Sequence, residues 1–223
     1  MDATAEIGEM KMALTLYYHP LSSFCHKALI ALYENDTPFT AKLVNLGDPE
    51  DADAFRKIWP LGKFPVLTDD DRVVPESSII IEYLAQHYPG KTAFIPSDPD
   101  IARQMRMRDR FYDLHIHMQM QKIVGDRIRP ADKKDPFGVD HARAQIQTSY
   151  AMIEQDMASK TWAMGDDFTM ADCAAAPALE YANMVEPFAA YKNIAAYYAR
   201  LEQRPSFARV LKEAEPYRHM FPK

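Results

Sequence analysis

At 223 residues, with 48% hydrophobic and 26% charged side chains, the chain has length for one large or two small domains with a real core, in an ordinary soluble globular balance. A formal charge of -6 speaks against nucleic-acid binding, which asks for a basic face. The two cysteines, Cys25 and Cys173, lie far apart and outside any Cys-x-x-Cys or Cys/His ligand spacing, so neither a disulfide framework nor a zinc site is suggested and a reducing, cytoplasmic setting is expected.

Residues 1–12 carry Asp2, Glu6 and Glu9 and read as a flexible extension without the basic-then-apolar layout of a signal peptide. No apolar run approaches the roughly 18 residues that a membrane span needs. Leu14–Tyr18 predicts a strand, followed through His19-Pro20-Leu21 by a helix over 24–35. Within that helix Cys25, Ala28, Leu29 and Leu32 fall at i, i+3, i+4 and i+7, which puts Cys25 on the buried face and leaves Ser22 at the cap. A helix start offers unpaired N–H groups and a positive dipole end, an environment that favours an anion such as a thiolate.

A second strand is predicted over 39–44, with Phe39, Ala41 and Leu43 alternating against Thr40 and Lys42, and a short helix over 51–58. Runs at 65–68 and 72–74 flank Asp69-Asp70-Asp71 as a hairpin, and a helix over 77–87 closes a unit spanning 13–88 in the order βαβ, connecting helix, ββα. Residues 89–99, with Pro89, Gly90, Pro96 and Pro99, read as a linker.

Residues 100–223 are helical in period. Met107, Phe111, Leu114 and Met118 predict the core stripe of the first helix, and Ile194, Tyr197, Tyr198 and Leu201 that of a later one. Arg108, Tyr112 and His115 share a face offset from the first stripe and are placed to line a substrate pocket, whereas His115 and His117, two apart, point differently and do not make a metal pair. Breaks at Pro130, Pro136, Pro187 and Pro205 divide this half into about five helices. Thr169-Met170-Ala171-Asp172 reads as a capping box with Phe168 and Cys173 as its staple, and Pro177 predicts a kink.

Together, the stretch from Tyr18 to Cys25, the segment Pro60-Leu61-Gly62-Lys63-Phe64-Pro65-Val66-Leu67, and Glu76-Ser77-Ser78-Ile79-Ile80-Ile81 resemble the glutathione S-transferase superfamily. The box at Thr169 and Arg204-Pro205-Ser206-Phe207 resemble its C-terminal pattern, so the resemblance covers about residues 13–215. It implies an α/β thioredoxin-like N-terminal domain followed by an all-α C-terminal domain, of a bacterial type with a serine-class motif like the zeta and tau classes. Ser22 then matches the serine that holds the glutathione thiol as a thiolate, with Ser23 in reserve should the loop slip by one residue. Phe64-Pro65 matches the cis-proline step that pairs with glutathione, Glu76 and Ser77 match the pair that meets its γ-glutamyl end, and Lys63 faces its glycyl carboxylate. Trp59 departs from the asparagine usual before Pro60.

The implied activity is attack of activated glutathione on a small hydrophobic electrophile. The resemblance implies glutathione as co-substrate and a homodimer, and no metal, nucleic-acid or membrane partner is expected. Two other readings stand beside it. A glutathione-dependent thiol reductase needs a nucleophilic cysteine where this chain has Ser22. A non-catalytic binding or regulatory protein would keep the scaffold alone, as stringent-starvation-type proteins do, with the aromatic tail around Tyr217 and Phe221 as an anchor or a cover for the pocket.

Overall fold

In the computed structural model, which describes residues 14–222, strand β1 (Leu14–Tyr18) leads into helix α1 (Ser23–Glu34) and strand β2 (Thr40–Leu43). Helix α2 (Pro49–Ile58), the hairpin of β3 (Val66–Asp69) and β4 (Arg72–Pro75), and helix α3 (Ser77–His87) complete this half; the extension expected over 1–12 lies outside the described residues. The sheet order is β2-β1-β3-β4, with β1 parallel to β2 and antiparallel to β3, and Leu16 opposite both Ala41 and Leu67. Asp69 pairs with Arg72 across the hairpin, and Asp70 takes the tip at φ 48°, a left-handed position that a short polar side chain tolerates.

The alternation expected for β2 does not mark a buried face. All of Thr40–Leu43 is exposed because β2 is an edge strand, and the inward residue is Val44, just past its end, packed with Phe55 and Val66.

The second half opens with α4 (Pro99–Phe111), whose N–H groups at Asp100 and Ile101 donate to Asp98 at 2.9 Å each. Without a break it passes through a π-helical segment (Tyr112–His117) into α5 (Met118–Arg127), so the three form a single rod. Helices α6 (Pro136–Asp156), α7 (Met170–Asn183), α8 (Lys192–Glu202) and α9 (Pro205–Ala214) follow, making five helical rods among the described residues of this half. A 3-10 segment (Glu215–Met220) follows α9.

Helix α7 is buried from Met170 to Ala182 and packs on α1, α4 and the π segment, joining the two halves. Its run of Ala174, Ala175, Ala176 and Ala178 permits that close approach, and it continues as helix through Pro177. At its start Asp172 reaches back to accept from the Thr169 N–H at 2.9 Å, and its other oxygen accepts from the Ala163 N–H and the Tyr197 hydroxyl. No helix among the described residues is long and apolar enough to cross a membrane.

The expected core stripe of the 99–127 rod is corrected. Met107, Leu114 and Met118 are 52%, 44% and 45% exposed, whereas Met105, Asp109, Tyr112, Ile116 and Met120 are buried. The cause is polar burial. Asp109, Asp113 and His117 turn inward to meet α1, so the core face reads as hydrophilic and the apolar side chains fall elsewhere.

The meeting point is Lys27 on α1, 1% exposed. Its ammonium lies 2.6 Å from Asp109 Oδ1 and donates to Asp113 Oδ2 at 2.7 Å and to Ser78 Oγ at 2.8 Å, while Ser78 donates to Asp109 Oδ2 at 2.7 Å. Burial pushes the Asp113 carboxyl above its ordinary range, against the pull of Lys27. This cluster ties α1, α3 and the long rod together.

Candidate functional site

A cleft of about 430 Å³ opens between the two halves. Its N-terminal wall is built from three places that are distant in sequence: the start of α1, the loop before β3, and the start of α3.

At the first, Ser22 is the N-cap of α1, with extended backbone (φ -81°, ψ 113°) and its Oγ 3.4 Å from the Cys25 N–H. A cap bond uses the oxygen as acceptor and does not itself commit the hydroxyl hydrogen. Ser23 is different. It is buried and its Oγ lies 2.5 Å from Nε2 of His117, across the boundary between the halves, and it does not line the cleft. Burial, aided by the Lys27 charge, pushes His117 down to about 3, so its imidazole is neutral and shares a single proton with Ser23 in that hydrogen bond. Phe24 lies flat on that ring at 4.1 Å and lines the cleft in front of it.

At the second place the chain turns through Gly62, whose N–H donates to Trp59 O at 2.9 Å and whose φ of 60° suits a residue without Cβ. It then presents Lys63, exposed, and the Phe64–Pro65 peptide, which is cis. At the third, Glu76 sits at φ 70°, ψ 120°, a conformation that costs free energy for a residue with a side chain and that delivers Ser77 as the first residue of α3. No side chain caps that helix at Glu76.

The starts of α1 and α3 therefore converge on one cleft. Two positive dipole ends and Lys63 favour an anionic ligand with more than one negative group.

The opposite wall comes from the 99–127 rod and consists of Arg110, Asp113, Leu114, Met118 and Gln121. Arg108, Tyr112 and His115 are not among the lining residues. Arg108 pairs with Asp156, Tyr112 is buried in the core, and His115 is exposed with its ring against Phe111. Leu114, Met118 and Gln121 are spaced i, i+4 and i+7, a signal present in the sequence, where Leu114 and Met118 read as part of the core stripe. Phe24 and Trp59 were also missed as cleft residues.

Cys25 faces inward. It is 0% exposed, and burial pushes its thiol up to about 12. Cys173 is likewise buried, and its thiol is raised well above the ordinary range. Native protein is accordingly expected to show no fast-reacting thiol towards a disulfide reagent near pH 7, and two after unfolding. A rapid native thiol would place Cys25 at the surface of the site.

The aromatic tail packs beside the loop that precedes α1 and lines none of the cleft. Tyr217 meets His19 at a ring separation of 5.6 Å, Phe221 meets Tyr181 at 5.6 Å, and Pro222 O accepts from Arg127 at 3.0 Å.

Family models for the N-terminal and the C-terminal domain of glutathione S-transferases match residues 16–92 and 136–200. Glutathione S-transferase Z1 of Arabidopsis thaliana is 30% identical over 230 residues, covering 95% of this chain and 96% of the relative. A stringent starvation protein A homolog of Coxiella burnetii is 27% identical over 207 residues, covering 91% and 93%. Among solved structures, a glutathione S-transferase of Methylobacillus flagellatus with glutathione bound superposes with a TM-score of 0.82 at 25% identity, covering 88% of this chain and 98% of that one.

Proposed function

We propose that this chain, which belongs to the glutathione S-transferase family, holds the glutathione thiol as a thiolate on the Ser22 hydroxyl for attack on a small electrophile. The observation that carries this reading is the position of Ser22, half-buried at the mouth of the cleft where the starts of α1 and α3 converge. A hydroxyl donating to sulfur and a helix N-terminus both favour the ionised form, lowering the thiol from its free value of about 8.5. The thiol proton leaves to solvent, the sulfur forms a bond to the electrophilic carbon, and a leaving group such as halide departs with the displaced electron pair. Beyond that, the protein orients the reactants and limits water.

Ser77 and the first N–H groups of α3 receive the γ-glutamyl carboxylate, Glu76 meets the amino group, the Phe64 main chain takes the peptide portion, and Lys63 faces the glycyl carboxylate. Phe24, Leu114 and Met118 offer the electrophile an apolar surface. By the same family likeness the chain pairs as a homodimer.

Retention on immobilised glutathione together with conjugation of a generic aryl halide is the expected result. Passage through the column without turnover at millimolar glutathione would instead favour the regulatory reading, which the stringent starvation relative supports. A narrower result is expected of Ser77→Ala, which loses ground-state contacts to glutathione: KM for glutathione rises about three- to tenfold with kcat nearly unchanged. A fall in kcat alone would move Ser77 out of the binding set. The reductase reading is disfavoured by the buried, protonated Cys25.

A further inference from the structure

The loop that delivers Ser22 to the cleft is held by hydrogen bonds at four successive main-chain groups. In the Pro20–Leu21 peptide the carbonyl accepts from His26 Nε2 at 2.5 Å, and the Leu21 N–H donates to His19 Nδ1 at 3.2 Å. In the next unit, Leu21–Ser22, the carbonyl accepts from the Tyr181 hydroxyl at 2.9 Å and the Ser22 N–H donates to His19 O at 2.9 Å. A peptide unit is planar, so bonds to both its oxygen and its nitrogen fix its tilt.

Three of these bonds are local, since His19 belongs to the loop and His26 to the first turn of α1. Tyr181 comes instead from α7, 160 residues further along the chain. Its side chain is buried, with the ring 5.6 Å from those of His26 and Phe221, and burial raises the phenol so that it stays protonated and donates. Tyr181 does not line the cleft. The unit it holds ends at the Cα of Ser22, so a turn of that plane changes the Ser22 φ of -81° and with it the direction of the bond that carries Oγ. Hydrogen bonds weaken steeply when misaligned, and a turned Oγ is a poorer donor to a fixed partner.

We infer that Tyr181 is a positioning residue for the conjugation reaction: by holding the Leu21 carbonyl, its hydroxyl keeps Ser22 Oγ directed at the glutathione sulfur. The inference rests on the assignment of that sulfur to Ser22. Helix α7 thereby acts on the thiol from the second half of the molecule without touching either reactant.

The test compares Tyr181→Phe with the full parent chain, following the ultraviolet absorbance of the bound glutathione thiolate against pH, and kcat and KM for aryl-halide conjugation. Phenylalanine keeps the ring between His26 and Phe221 and removes only the donor. The thiol of bound glutathione is expected to rise by about half a pKa unit to one unit, kcat at neutral pH to fall about three- to tenfold, and KM for glutathione to stay nearly unchanged. Tyr198→Phe is the matched control: it strips a buried hydroxyl from its bond to Glu180, next to Tyr181 on α7, and is expected to lower Tm without moving the thiol. In a Ser22→Ala background Tyr181→Phe is expected to add nothing, because its effect passes through Ser22. Additive losses in the double variant, a thiol unmoved in Tyr181→Phe, or an equal shift in Tyr198→Phe overturns the inference. A thiol that shifts in Ser22→Ala but not in Tyr181→Phe removes Tyr181 alone, whereas one that shifts in neither, or a parent that binds no glutathione, removes the role of Ser22 as well.

Discussion

Replacing Ser22 with alanine is expected to lower kcat for aryl-halide conjugation about tenfold to a hundredfold near pH 7, the worth of one hydrogen bond to a charged partner of about 1.5–3 kcal/mol. On the proposed mechanism the variant keeps the helix start, and so part of the thiolate stabilisation, but loses the hydroxyl donor to sulfur. The thiol of bound glutathione then rises by about one to two pKa units. With the thiolate as the attacking species, the acid limb of the pH–rate profile moves to higher pH and the deficit narrows under alkaline conditions. Stability moves much less, because the 3.4 Å cap bond to Cys25 is long and a lost cap costs about 0.5–2 kcal/mol. Cys25→Ala is the matched control: its thiol is buried and protonated, so the acid limb is expected to stay in place. An unchanged acid limb in Ser22→Ala would remove that hydroxyl from the chemistry.

The sequence showed one wall of the cleft and hid the other, for a physical reason. Around β1, α1 and α3 the elements are short, their apolar positions follow the local period, and Ser22 and Ser77 stand at helix starts that can be read directly. That Ser23 turns away from the cleft was not legible in the sequence, because only the fold brings His117 to Ser23, 94 residues away in sequence. Along the 99–127 rod the usual reading, apolar inward and polar outward, reversed at several positions. Asp109, Asp113 and His117 are buried because their partners, Lys27 and Ser23, come from another element, and no single-helix periodicity contains that information. Leu114 and Met118 were legible as a pair on one face but not as cleft residues. Edge strand β2 failed in a simpler way: alternation describes a pleat, and burial requires something to cover it.

Lys27→Met is expected to be the most destabilising single change in the domain interface, at about 3–5 kcal/mol, or roughly 6–20 °C in Tm for a chain of this size. Methionine fills similar space, so the loss is chiefly electrostatic: two buried carboxylates remain where the cation stood. Burial already holds the Asp113 carboxyl above its ordinary range in the parent, and removal of Lys27 raises it further. A carboxyl that binds its proton more tightly folded than unfolded gives stability that is fully present below the unfolded pKa and is lost as pH rises through the folded value. The deficit of Lys27→Met relative to the parent should therefore be large at about pH 8 and shrink towards pH 5, as the stranded carboxyls take up protons. A deficit independent of pH in thermal melts would show that packing, not charge, was lost. Asp113→Asn alone should cost far less, because it leaves Lys27 paired with Asp109 at 2.6 Å, and adding it to Lys27→Met should recover part of the loss. The same cluster fixes α1 and α3, whose starts carry Ser22 and Ser77, against the rod that carries Leu114 and Met118. At temperatures where Lys27→Met is still folded, KM for glutathione is accordingly expected to rise, since two helix termini that must meet a single tripeptide are no longer pinned to a common anchor.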